Sequence, residues 1–477
     1  MTGFVYIIGA GCGSADLITV RGLNALKRCD TVVYDALIDI SLLCRAPSDA
    51  EMICVGKRSG RHSAKQEDIN SLLVEKALAG HTVARLKGGD PLVFGRGGEE
   101  ISELQKHDIP FSVIPGISSC IAVPELAGIP VTHRRVSRAF HVITAHTADG
   151  GSGFSQYAKL DGTLVFLMGL AALPDIARDL IHGGMAAATP AAVISEGGTV
   201  HQSTTRGTLA DIADKASGMA APAIIVVGGT AAYDFSCSSQ SGPLSGISVT
   251  VTGTERFTEK LARLLTAEGA YVKQYSHLQI VRTHPVPPLD GYGCIAFTSS
   301  YGAEMFIAHC REKHIDLRTL AGVKIAAVGS GTAETLAGCD LIPDIVPDRF
   351  TVADLADAIA DSVSGKTLVL RAYLGSEQLT DRLKKRNVSF DDVKIYDTVC
   401  RPEMPADNAD TDYIVFGSSS GVQAFFDRGN TLTAHTKIVC IGAQTAETVR
   451  KYTVSEIITA VPHSAEGVLD SIKGDRK

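Results

Sequence analysis

Residues 84–100 read ARLKGGDPLVFGRGGEE. The four residues His81 to Ala84 predict a short strand leading in, and after it the backbone becomes permissive. Gly88, Gly89, Gly95, Gly97 and Gly98 carry no Cβ, so the chain can turn sharply and bring its amides close to a ligand. Asp90 falls between a glycine pair and Pro91, at a strand end, where open α/β sheets hold their ligands. Lys87 and Arg96 flank it with positive charge. A Gly-Pro surface turn closed by an ion pair seldom needs five glycines, so the stretch reads as a binding loop of an α/β fold.

The flanking chain repeats the pattern. Phe4 to Ile8 predicts a strand, Gly9 to Gly13 a glycine turn, Thr19 to Arg28 a helix, and Thr31 to Tyr34 a strand ending at Asp35. This approaches a dinucleotide fingerprint, but its third glycine would fall at Ser14, so nicotinamide binding is not expected. Met52 to Val55 predicts a strand that runs into Gly56-Lys57-Arg58-Ser59-Gly60-Arg61-His62. Gln66 to Ala79 is an amphipathic helix, with Ile69, Leu72, Leu73 and Ala77 on one face and Gly80 as its stop. Phe111 to Ile114 predicts a strand ending in Pro115-Gly116-Ile117-Ser118-Ser119, small residues that admit a flat ligand edge. Residues 131–138, VTHRRVSR, are either a solvated loop or a docking surface for an anionic substrate. His141 to Thr144, Thr163 to Leu167, Ala191 to Ser195 and Ala223 to Val227 predict further strands, each followed by glycine or small polar residues. The alternation indicates α/β architecture with a largely parallel sheet. Met168, after a buried strand, reads on its own as core.

Composition sets the outer bounds. A chain of 477 residues implies two or three domains. Apolar content of 45% with 20% charged residues is that of an ordinary globular protein. A net charge of -7 argues against non-specific nucleic-acid binding. The 11 cysteines form no CxxC pair and no zinc spacing, so they read as reduced, in a cytoplasmic protein without a metal. The opening MTGFVYIIGAGCG lacks the basic n-region of a signal peptide, and no apolar run reaches the ~18 residues of a membrane span.

Residues 231–246, AAYDFSCSSQSGPLSG, read as a linker between domains. The expected division is 1–232, linker 233–246, and 247–477. A new α/β pattern starts with a strand from Ile247 to Thr252, then a helix with Phe257, Leu261, Leu264 and Leu265 on one face, and a strand from Tyr271. An internal repeat follows: FTSSYGAEMF (297–306) matches FGSSSGVQAF (416–425), and KIAAVGSGTAETL (324–336) matches KIVCIGAQTAETV (437–449). Strand-to-helix turns of this composition offer free N-terminal amides that bind carboxylates, or use Ser and Thr simply as N-caps; both can hold. Ser299, Thr332, Ser418, Ser419 and Thr445 are the candidates there.

In order and spacing, VYIIGAGCGSADLIT, VVYDALI, VGKRSGRHSAKQEDIN, ARLKGGDPLVFGRGGEE, VIPGISS, IPVTHR and FLMGL resemble uroporphyrinogen-III C-methyltransferase over roughly residues 3–230. The resemblance implies a two-lobed α/β tetrapyrrole methyltransferase, a homodimer through this domain, with S-adenosyl-L-methionine in the cleft between lobes. It implies that Cys12, Gly88, Gly89, Asp90, Val93, Ser118, Ser119, Met168 and Gly197 line the cofactor site, and that Asp35 and Lys57 are an acid–base pair. Cys12 stands where the family has a proline, and the chemistry needs no nucleophile there. The acceptor is an electron-rich pyrrole carbon, so methyl transfer needs alignment more than a strong base. The substrate's carboxylates suit Arg58, Arg61, Arg96, Arg134, Arg135 and Arg138, since guanidinium pairs with carboxylate bidentately.

Residues 245–470 resemble uroporphyrinogen-III synthase, through the two repeats and KTLVLRAYLGSEQLTDRLKKRNVSFDDVKIYDT (366–398). This implies a second domain of two α/β lobes, with crossings near residues 278–285 and 396–402, and a role for Tyr396 in loss of the substrate's hydroxyl; an aromatic at a strand end is the plain alternative. Together the resemblances imply a bifunctional enzyme. It would cyclise hydroxymethylbilane to uroporphyrinogen III and methylate that product at C2 and C7 to precorrin-2, toward sirohaem or cobalamin. Two alternatives stay open: a non-catalytic tetrapyrrole-binding second half, or a first half acting on a later corrin intermediate.

Overall fold

Five parallel strands open the chain in the computed structural model, which describes residues 2–47, 49–56, 65–145, 153–236, 242–349, 351–401 and 408–476. They are β1 (Phe4–Gly9), β2 (Thr31–Tyr34), β3 (Glu51–Cys54), β4 (Thr82–Lys87) and β5 (Phe111–Ile114), in the order β3-β2-β4-β1-β5. Val5, Ile7, Ile8, Val32 and Val33 have no exposure, as expected of strands covered on both faces. Helices α1 (Val20–Leu26), α2 (Gln66–Leu78) and α3 (Gly97–Lys106) connect them. Thr19 caps α1 by accepting from the Gly22 amide at 3.1 Å. The strand expected to end at Ala84 continues to Lys87, because Arg85 and Lys87 find a buried carboxylate and need not leave the sheet.

Helix α4 (Ser119–Leu126) leads to a second sheet. Its strands are β6 (Phe140–Thr144), β7 (Thr163–Leu167), β8 (Pro190–Ser195), β9 (Ser203–Thr208) and β10 (Ala223–Val227), ordered β6-β7-β10-β8-β9. Only β6 and β7 run parallel here; the other three pairings are antiparallel. The expectation of a largely parallel sheet therefore holds for the first lobe and fails in the second. A short return such as that from β8 to β9 can only make an antiparallel pair. Strand β9, STTRGT, carries no apolar alternation and is not legible as a strand.

The chain forms two compact units, Met1–His277 with Pro402–Lys477, and Leu278–Arg401. The breaks fall within the ranges expected for the crossings. In the first unit, strand Ser248–Thr254 pairs in parallel with Tyr413–Phe416, followed by Lys437–Cys440 and Ile457–Thr459. In the second, Tyr292–Phe297 lies between Lys324–Ala327 and Lys366–Ala372, and Phe390–Cys400 continues the parallel order. Leu278 to Arg282 then pairs antiparallel with Cys400 to Tyr396.

The described ends of the 233–246 segment make contacts of their own. Phe235 donates its amide to Gly128 at 2.8 Å, and Leu244 is fully buried among Val249, Val251 and Leu261. Residues 237–241 lie outside the described residues. The first unit has a core that runs across the joint: Ile8, Leu42, Leu43 and Cys44 cluster with Tyr275, Ile414, Phe416 and Phe425. Hydrophobic burial holds these segments together whatever the composition of the connection between them. Among the described residues, no helix is long and apolar enough to cross a membrane.

Candidate functional site

The loops after β1, β4 and β5 meet at the C-terminal edge of the first sheet. The Gly89 amide donates to Gly11 O at 2.6 Å, and Gly11 returns a bond at 3.3 Å. Here φ is +68° at Gly89, a left-handed value that a side chain disfavours. A Cβ on Gly9 would lie 2.4 Å from the Gly116 amide nitrogen, and one on Gly116 2.2 Å from Gly89 O, so those two glycines serve close packing. Gly88 and Gly89 differ: a Cβ on either meets nothing nearer than 4.0 and 3.8 Å. Each has room for a Cβ, with Leu37 Cβ the nearest atom to Gly88 and Ser119 N, at the start of α4, the nearest to Gly89. Asp90 spends both oxygens on backbone amides, Leu92 at 2.9 Å and Gly116 at 3.1 Å, and so ties the β4 and β5 turns together.

Ser118 is the N-cap residue of α4, buried, with Oγ 3.2 Å from Cys120 Sγ. Gly197 packs its backbone on Val123 of the same helix. Gly13 and Gly198 press backbone on backbone, which joins the first loop to the one after β8. Cys12, Gly88, Gly89, Asp90, Ser118, Ser119 and Gly197 thus converge on loops that touch one another. Burial, then Cys120, pushes the Cys12 thiol up to about 11, so it is no nucleophile at neutral pH. Val93 is exposed on the β4 loop. Met168 is 58% exposed with φ of +55°, so the reading of it as core fails: a left-handed turn lifts it off β7.

Behind the glycines lies a charge network that the sequence reading missed. Asp35, at the end of β2, accepts from Arg85 Nη2 at 2.6 Å, and its other oxygen is 4.0 Å from Lys87 Nζ. Arg85 Nε and Lys87 Nζ both donate to Glu100 Oε1, at 3.0 and 2.9 Å. Arg85, Lys87 and Glu100 are all buried. Burial, then Arg85, lowers the Lys87 pKa. Glu100 Oε2 has no hydrogen-bond partner among the described residues. The available signal was charge at alternate positions of an otherwise apolar strand, Arg85 and Lys87, which share one face.

Arg96 is exposed, holds φ of +58° and grips Glu99 through two bonds of 2.8 Å. VTHRRVSR is a tight turn, His133 N to Ser137 O at 3.1 Å, that leaves Arg134, Arg135 and Arg138 exposed. Lys57, Arg58 and Arg61 lie outside the described residues.

In the second unit, Tyr396 Oη is 2.6 Å from Ser299 Oγ, which also accepts from Gly302 N at 3.1 Å to cap helix Ser300–Glu312. A register shift between Arg371 and Ala372 accompanies the Tyr396 pairing, a bulge of the kind that re-aims a side chain. Burial raises the Tyr396 pKa, while Ser299 opposes the shift. Tyr396 is therefore a protonated, hydrogen-bonded phenol and not merely an aromatic at a strand end. The repeat recurs in the first unit, where Ser418 caps Ser419–Asp427 through Gly421 N at 3.1 Å. Ser300 Oγ reaches Gly331 O at 3.0 Å, and its counterpart Ser419 reaches Gln444 O at 3.2 Å. Thr332 and Thr445 are each 5% exposed, so those turns offer backbone more than hydroxyl.

Fold and site define a tetrapyrrole-processing chain of two parts. The profile of tetrapyrrole (corrin/porphyrin) methylases matches residues 5–213, and that of uroporphyrinogen-III synthase residues 259–470. The porphyrin biosynthesis protein HemD of Ruminiclostridium josui is 36% identical over 492 residues, covering 98% of this chain and 97% of its own. The chain belongs to the family of that protein, with a methylase part and a synthase part in one polypeptide. The uroporphyrinogen-III C-methyltransferase of Methanocaldococcus jannaschii is 54% identical over 233 residues, 48% of this chain and 96% of its own. A solved uroporphyrin III C-methyltransferase of Thermus thermophilus is 35% identical, covering 48% of this chain and 98% of its own, with a TM-score of 0.43.

Proposed function

We propose that the second half cyclises hydroxymethylbilane to uroporphyrinogen III, and that the first half methylates this product at C2 and C7 to precorrin-2. The methyl donor is S-adenosyl-L-methionine, which supplies an electrophilic methyl group. The observation that carries the reading is the open backbone at Gly88 and Gly89 beside α4, a cradle that a side chain would fill. Backbone amides and carbonyls of the loops bearing Cys12, Gly89, Ser119 and Gly197 suit a donor with adenine and amino-acid ends. Asp35 stands at the neighbouring strand end; the methyl group adds to a ring carbon that carries no hydrogen, and Asp35 with Lys57 takes up the proton that the macrocycle loses elsewhere to balance the charge. Arg85 fixes the orientation of the Asp35 carboxylate. Arg96 and Arg134 serve the substrate's carboxylates.

In the second half, Tyr396 donates a proton to the departing hydroxyl while Ser299 holds the phenol in place. The start of helix Ser300–Glu312, beside Tyr396, suits a carboxylate of the substrate. The chain works as a cytoplasmic homodimer through its methylase half. Chromatographic separation of the type I and type III isomers, with mass spectrometry of the products from hydroxymethylbilane, tests the reading. Uroporphyrinogen III is expected without S-adenosyl-L-methionine, and a product heavier by two methyl groups with it. Recovery of the type I isomer alone would remove the synthase activity, and an unmethylated product would remove the methylase assignment.

A further inference from the structure

We propose that Tyr271, which begins a strand of the synthase half, is a positioning residue for the methylase's cofactor turn. Its hydroxyl donates to the Gly198 carbonyl, on the loop that follows β8. Gly198 presses against Gly13, whose turn carries Cys12 and Ser14. Ser14 hydrogen-bonds the same phenol, and Asp16, Asp39 and Cys12 all act on it electrostatically. The phenol is therefore wedged where the two cofactor loops of the methylase meet. Burial raises its pKa, so it remains a donor at any physiological pH.

A second attachment holds the same turn from its other side. Asp39 accepts from Ala15 N at 3.0 Å and from Ser41 N at 2.9 Å, linking the turn to the short helix Ile40–Arg45. Arg45, the last residue of that helix, pairs with Glu255 at 2.7 Å and with Glu259, both on the first helix of the synthase half. Beside it, Cys44 Sγ donates to Ser276 O at 3.3 Å. The turn is thus held on one side by Tyr271 of the other enzyme part, and on the other by Asp39, whose following helix Arg45 ties to that part. A loop ordered before its ligand arrives binds more tightly, because less conformational freedom is lost on binding.

The inference rests on the reading that Cys12 and Gly197 belong to the donor site. Tyr271→Phe tests it in the full chain, since it removes one oxygen and keeps the ring in place. Calorimetric titration with S-adenosylhomocysteine should show affinity weakened about 2- to 10-fold, the range of one ordinary hydrogen bond. The KM for S-adenosyl-L-methionine should rise by the same factor with kcat for methylation unchanged, and synthase turnover of the same sample should match the wild type. Wild-type affinity in Tyr271→Phe, with or without a lower melting temperature, makes the phenol a packing contact and overturns the proposal. A wild-type chain that fails to bind S-adenosylhomocysteine overturns instead the donor-site reading beneath it.

Discussion

Glu100 sits with no exposure between two cations, and only one of its oxygens is engaged by described residues. Such a carboxylate is tolerable only while its partners stay, and it fixes them in return. Glu100→Gln keeps the shape and removes the charge, leaving Arg85 and Lys87 to share Asp35. A loss of about 3–5 kcal/mol is expected in denaturant unfolding, the scale for breaking a buried ion network. Methylation kcat should fall ~10²-fold, the penalty for displacing a reacting group by about 1 Å. Unchanged kcat in a folded variant would leave the network structural and no more. Gly89→Val is sharper. The nearest atom to its Cβ is 3.8 Å away, so the Cβ itself does not clash; the substitution acts by adding bulk beside Ser119 and by the strain of a left-handed φ. Titration of S-adenosylhomocysteine should show no binding while uroporphyrinogen-III synthesis continues. The glycine stretch was legible because its composition is local. The Arg85–Glu100 contact was not, since it joins a strand to a helix that first has to fold back over it.

Secondary elements of the synthase half show how far a repeat can be read. Ser299 and Ser418 have nearly the same backbone angles, φ -163° and -167°, and the same cap to a glycine amide. The repeated composition announced this, because a Ser N-cap is a local event. What distinguishes the first copy is Tyr396, brought to Ser299 by a strand 97 residues further along the chain and by a bulge in its pairing. No short-range pattern carries that. Tyr396→Phe should therefore fold normally and lower synthase turnover about 10²- to 10⁴-fold, as loss of a general acid does. Ser299→Ala should in addition lower stability by about 1 kcal/mol, the loss of one cap, seen in thermal melts. A Tyr396→Phe enzyme with full turnover would take the phenol off the catalytic list.

At the scale of the molecule, the segments on either side of the Ser, Gly and Pro-rich stretch share a core. Composition reports that a segment makes little structure of its own; it says nothing of what the flanking segments bury against each other. Here Leu42, Leu43 and Cys44 share a core with Tyr275, Phe416 and Phe425, and Arg45 bridges to Glu255. Cleavage within residues 237–241 should therefore give two pieces on a denaturing gel that elute together on gel filtration without denaturant. Separate elution would show the shared core to be weak. The discontinuity of the first unit has a consequence for how the protein is made. Strand Ser248–Thr254 waits for Tyr413–Phe416, which the ribosome reaches only after finishing all of Leu278–Arg401. At the usual pace of translation that delay is roughly ten to thirty seconds, during which apolar residues such as Ile8 and Leu42 lack Ile414, Phe416 and Phe425. A nonsense mutation late in the gene would thus uncover apolar surface of the methylase half around Ile8 and Leu42, so that a lesion mapped to the last enzyme part reaches the first as well.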